Sequence, residues 1–215
     1  MARYKNGING PLSGKVGSVI AASWRGIDYF RSVGEPAGKP ASPAQLAQRR
    51  ILSIVSSWLK PLKALIWIGF QEAKEGRTPM NELVSFMMKE GLVGQGPEMR
   101  IDFTKAVFSK GELLVSFVRE LIVLAGALLH IKWEDLSSSA FCKEDDMATF
   151  IIYNPEKEKF VTFERIAARA DREAVLQLPT EFEGDDIHCY MQYVNAAGNR
   201  VSTSVYLAKL VLEQS

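Results

Sequence analysis

From residue 99 onward the chain is written in short apolar runs separated by turns. Ile101-Asp102-Phe103, Val107-Phe108 and Leu113 to Phe117 come first; Ala127 to Trp133, Met147 to Tyr153, Lys159 to Phe163, Ala174 to Leu178, Ile187 to Val194 and Arg200 to Leu212 follow. A polar loop over 134–146, Asn154-Pro155, Pro179 and Asn195-Ala196-Ala197-Gly198 punctuate them. No helical apolar period intervenes. Consecutive strands without crossover helices must pair antiparallel and cover one another's apolar faces, so the reading predicts a β-sandwich over residues 98–215. Trp133, at the end of a strongly alternating run, is expected in its core.

The preceding region, 1–97, has a different texture. Ser42, Pro43 and Gln45 supply an N-cap, an N1 proline and the partner of a capping box. Ala47, Ile51, Ile54, Val55, Trp58 and Leu59 then recur at helical spacing until Pro61 breaks the run. A second apolar helix is expected over 62–70. A third opens at Thr78-Pro79, carries Leu83, Val84, Met87 and Met88, and stops near Gly91. The two methionines read as core filler. Helices therefore occupy 43–91, behind a Pro/Gly linker over 34–41. Residues 15–33 read as a β-hairpin with strands 15–23 and 27–33, turning at Trp24-Arg25-Gly26. A lone hairpin is marginal in water, so its apolar residues need another surface. The expected class is α+β, with hairpin and short helices preceding an all-β sandwich.

The net charge of +1 hides an imbalance: residues 1–100 carry 14 basic against 7 acidic side chains, residues 101–215 carry 12 against 18. The basic part can meet an anionic partner. Arg3, Lys5, Lys15, Arg25, Arg31, Arg49 and Arg50 are interleaved with Trp24 and Tyr29, which is the composition of nucleic-acid or assembly contacts: cations for phosphates, rings for stacking. The start, Met1 to Gly7, is basic with no apolar run behind it, and Leu113 to Ile131 is interrupted by Arg119 and Glu120. Neither an export signal nor a membrane span is expected, and a cytoplasmic or particle-associated chain is. Cys142 and Cys189 are expected as free thiols.

Two resemblances add to this. Leu128 to Trp133, Phe150 to Tyr153, and Tyr190 to Gly198 with its Asn-x-x-Gly turn resemble strands of fibronectin type III and immunoglobulin-like domains. The cysteine pair of a true immunoglobulin domain is absent, because Cys142 falls in a loop. Asn6-Gly7, Ser13-Gly14-Lys15-Val16-Gly17, Trp24-Arg25-Gly26, Tyr29-x-Arg31-Ser32 and Ser42-Pro43-Ala44-Gln45 with Gln48-Arg49 resemble a family of unknown function common in Bacteroidota. That resemblance implies an N-terminal signature joined to a C-terminal sandwich, and no activity. A weaker similarity of the same signature is to phage-like proteins.

Motifs for chemistry are sparse. Gly14-Lys15 lacks the earlier glycine and following hydroxyl of a phosphate-binding loop, since Asn9 and Val16 stand there. His130, His188, Cys142 and Cys189 match no zinc spacing, and neighbours His188 and Cys189 point to opposite faces of a strand. Glu144-Asp145-Asp146 and Asp185-Asp186 read as solvated loop carboxylates rather than a calcium site. No catalytic residue, metal, cofactor or small-molecule substrate is assigned. The expected function is a non-catalytic structural or protein-interaction module, self-associating or binding another protein, as in a phage-like particle or mobile element; the alternative is a nucleic-acid-associated protein using the basic segment.

Overall fold

The computed structural model describes residues 3–4, 12–24, 26–34, 40–71, 76–134 and 139–212. The chain divides into two compact units, Met1–Pro43 and Ala44–Ser215.

In the first unit, β1 (Arg3–Tyr4), β2 (Leu12–Val16), β3 (Val19–Trp24) and β4 (Ile27–Ser32) form one antiparallel sheet in chain order. This corrects the expected two-stranded hairpin. The run 15–23 folds back at Gly17-Ser18, where Gly17 takes φ 57°, a left-handed conformation that costs glycine no Cβ clash. The second turn lies where expected, with Gly26 at φ 83°. Of the linker 34–41, residues 35–39 lie outside the described residues.

The second unit begins with helices. α1 (Pro43–Leu59) ends in a 3-10 turn over Lys60–Leu62 that contains Pro61, and α2 (Lys63–Gly69) follows. Together Pro43–Gly69 is long and apolar enough by length and composition to cross a membrane. Yet Val55, Leu59, Leu62, Leu65 and Ile66 are buried in protein core. α3 (Pro79–Glu90) starts as expected: the Thr78 hydroxyl accepts the Asn81 backbone N–H at 3.2 Å. Thr78→Ala should cost about 1 kcal/mol, read as a lower urea midpoint with unchanged slope. Of the methionine pair, Met87 is fully buried and Met88 packs beside it.

β5 (Leu92–Val93) and β6 (Arg100–Ile101) make a small ribbon. Beyond it, three of the expected strands differ, Val107-Phe108 being irregular backbone rather than strand. Phe103–Lys105 is a 3-10 turn, with Asp102 accepting the Thr104 backbone N–H. Residues 114–117 are not strand; β7 is Val118–Leu124. There Arg119 and Glu120 do not interrupt a strand but sit exposed on one, paired with Glu134 and Lys132. β8 (Leu128–Trp133), β9 (Met147–Asn154), β10 (Lys159–Ala168), β11 (Glu173–Gln177), β12 (Asp186–Val194) and β13 (Val205–Val211) follow.

These strands form two antiparallel sheets, β11-β8-β7 and β10-β9-β12-β13. One core lies between them, with Leu129, Ile131 and Trp133 facing Phe150, Ile152, Met191 and Tyr193. A second core contains Ile151, Tyr153 and Tyr190 from β9 and β12, packed with Val55, Leu59, Ile66, Leu83 and Met87 from the helices. The helices grouped with the N-terminal region in the sequence reading therefore cover the four-stranded sheet. β9 and β12 are consequently buried on both faces and mostly apolar rather than alternating.

Candidate functional site

The register of the N-terminal sheet decides which candidate residues meet. Lys15 pairs with Ile20, Ile20 with Arg31, Ala22 with Tyr29, and Trp24 with Ile27. Directly opposed residues share a face, and alternate residues along a strand do too. Lys15, Trp24, Tyr29 and Arg31 thus stand on one face with Ile20, Ala22 and Ile27. The other face carries Val16, Val19, Phe30, Asp28 and Ala21. Ala21 is the one buried residue among the described residues of this sheet. Phe30 is 67% exposed, Ile27 59%, Trp24 51% and Val16 50%. Both faces thus present large apolar side chains, one with two cations among them and the other with Asp28.

Arg49 and Arg50 are exposed on α1, in the other unit. Lys5 and Arg25 lie outside the described residues; Arg3 is described by its backbone, which pairs with Ser13.

The second unit holds a cleft of about 730 Å³ that the sequence reading missed. Trp58 of α1, Phe103, Tyr153 of β9 and His188 of β12 line it, with Arg100 and Asp102 among its polar groups. The rings pack on one another: Trp58 and Tyr153 centroids are 5.4 Å apart, edge to face, and Phe103 and His188 are 4.7 Å apart. Burial lowers the His188 pKa, with Lys209 adding to the effect and Asp186 opposing it, and Nδ1 lies 3.1 Å from the Tyr206 hydroxyl. Asp102 is held below the usual carboxylate range first by the Thr104 hydroxyl, which donates to Oδ1 at 2.6 Å. Burial raises the Tyr153 hydroxyl, and the Trp58 indole beside it draws it back. Trp58 Nε1 itself is buried without a hydrogen bond of regular geometry. No local motif marks this cleft, because its walls come from four separate stretches of chain.

The other titratable residues weighed in the sequence are engaged elsewhere. His130, in the three-stranded sheet, lies 2.9 Å from Glu173. Cys142 and Cys189 are buried thiols outside any disulfide, and burial pushes the Cys189 pKa up to about 12. Two loop carboxylates read as solvated are buried instead. Asp146 pairs with Arg169 at 3.2 Å, and Asp185 accepts from Asn154 and Lys157. Loops at the ends of a sandwich close over its core, so a carboxylate there needs a partner when water is excluded. Among the described residues, no three His, Cys, Asp or Glu side chains converge to hold a metal ion.

Fold and site together define an α+β chain whose N-terminal sheet offers an apolar, partly basic surface. By its match over residues 11–208 the chain belongs to the family of unknown function DUF6266. No curated protein matches it.

Proposed function

We propose that the chain is a non-catalytic structural module that self-associates through its N-terminal sheet. The observation that carries this reading is the sheet's exposure: Val16, Trp24, Ile27, Tyr29 and Phe30 each exceed 40% exposed while Ala21 alone is buried among its described residues. Apolar surface of this kind is unfavourable in water, and burying it on contact lowers the free energy. In the cleft, Asp102 caps a turn and His188 lies against Tyr206. Replacing Trp24, Ile27 and Phe30 together by Ser should halve the mass of the full chain in light scattering without shifting its main melting transition. An unchanged mass would remove the proposal.

The remaining details of the reading rest on pattern. The first, second and fifth strands of the sandwich form one sheet and the other four the second. This order supports a fibronectin type III/immunoglobulin-like assignment. The Trp-Arg-Gly and Pro-Ala-Gln signature supports a Bacteroidota family, and its weaker similarity to phage-like proteins supports a particle-associated setting beside the cytoplasmic one. Tail or capsid genes beside this one would agree with that setting; a metabolic operon would contradict it.

A nucleic-acid reading has its own observation, the common face of Lys15, Trp24, Tyr29 and Arg31. Binding of single-stranded DNA through this face should weaken steeply with salt and fall with Arg31→Gln. Salt-independent binding, or none at low salt, would dismiss it.

A further inference from the structure

The strand β4 ends its sheet: β3 lies on one side and no strand on the other among the described residues. All six of its residues are exposed. Its hydrogen-bonding direction follows from the strand pairing. The Val33 N–H donates to the Ser18 carbonyl at 3.0 Å, in line with the β3–β4 register. Antiparallel strands alternate between residues that bond a neighbour and residues that face away. Arg31, Tyr29 and Ile27 therefore bond β3, while Asp28, Phe30 and Ser32 turn their backbone N–H and C=O groups outward. An exposed edge of this kind is a template for another strand.

We propose that β4 pairs antiparallel with β4 of a second copy of this chain, centred on Phe30 opposite Phe30 of the second copy. The proposal rests on the self-association read above and names its contact. Outward-facing residues can meet only outward-facing residues, so few registers are open. In the Phe30-centred register, Asp28 faces Ser32, carboxylate to hydroxyl. Tyr29 faces Arg31, ring to guanidinium, and Ile27 faces Val33. Each of these contacts occurs twice by symmetry, with about six backbone hydrogen bonds between the strands. Moving the centre to Tyr29 sets Asp28 against Phe30 and Ile27 against Arg31. Moving it to Arg31 opposes two guanidiniums. The strand thus matches itself in one register and mismatches itself in both neighbours, which is why the partner is a second copy. The result is a closed two-fold dimer with one continuous sheet.

Cysteine scanning tests the register in the full chain. Residues in a bonded antiparallel pair have Cα atoms about 5.5 Å apart, within disulfide range. With oxidised glutathione as oxidant, the Phe30→Cys variant should cross-link to a dimer and the Tyr29→Cys variant should not. Native Cys142 and Cys189 are buried and serve as the background control. Phe30→Pro removes an outward N–H while sparing the bonds to β3, and should leave a folded chain at monomer mass. Cross-linking of Tyr29→Cys as complete as that of Phe30→Cys would overturn the register. A full chain that is dimeric and loses its dimer on the Trp24/Ile27/Phe30 serine substitution, yet cross-links at neither position, would overturn the edge pairing and leave the assembly reading standing. A full chain monomeric at every concentration would overturn both.

Discussion

Trp133→Ala should destabilise the second unit by about 3–5 kcal/mol, among the largest losses a single truncation can cause. Trp133 ends β8 and is 3% exposed. Its ring lies 5.9 Å from that of Phe150 across the two sheets, and Nε1 donates to the Arg169 carbonyl at 2.9 Å. Truncation removes the transfer free energy of an indole, opens a cavity that two sheets cannot close, and takes one of two donors from the buried Arg169 carbonyl, which keeps the Arg172 N–H. For a unit of this size the melting temperature should fall on the order of 10 °C. Trp133→Phe, which keeps most of the volume but not the N–H, should cost about 1–2 kcal/mol. A Trp133→Ala chain that melts with the parent would mean that the indole does not fill the core.

A comparable loss is expected at Arg169, whose side chain is fully buried. Its guanidinium donates to the Leu114 carbonyl at 2.7 Å, the Ser116 hydroxyl at 2.9 Å, the Lys143 carbonyl at 3.2 Å and Asp146 Oδ2 at 3.2 Å. It also stacks 3.7 Å over the Tyr193 ring. A cation so deep in protein is tolerable because its donors are met and a carboxylate faces it. Arg169→Met keeps the apolar stem but leaves Asp146 buried without its cation, and should cost about 3–5 kcal/mol. Adding Asp146→Asn should then cost less than it does alone, because the stranded charge is gone. A double-mutant cycle measures this: coupling of at least about 1 kcal/mol is expected, and additive losses would show that the two side chains do not depend on each other.

Elements whose instructions are local could be read from sequence. α3 carries its own start in Thr78-Pro79 and its stop in Gly91, and it runs as expected. β9 and β12 are mostly apolar and buried along nearly their whole length, and admit few other structures. β7 is less legible: Arg119 and Glu120 break an apolar run, and a register irregularity between Val118 and Glu120 is what lets both stay in water beside Glu134 and Lys132. Arg169 gives no local signal, since its partners come from residues 114, 116, 143, 146 and 193. At the candidate site, Lys15, Trp24, Tyr29 and Arg31 are legible as a set of residue types. Their common face is not. In one continuous strand over 15–23, Lys15 would fall on the opposite face from Trp24; the turn at Gly17-Ser18 brings them together. The aromatic cleft needs Trp58, Phe103, Tyr153 and His188 to converge from distant segments, which periodicity does not encode.

If the N-terminal sheet is an assembly surface, the mass of the chain in solution reports it. Light scattering should be recorded over a concentration series for the full chain and for a chain lacking residues 1–34, with thermal melting of both. We expect the full chain at dimer mass and the shortened chain at monomer mass with its main melting transition retained. A full chain at monomer mass, whose shortened form simply unfolds, would show that the sheet completes the protein's own core, and the account would be wrong.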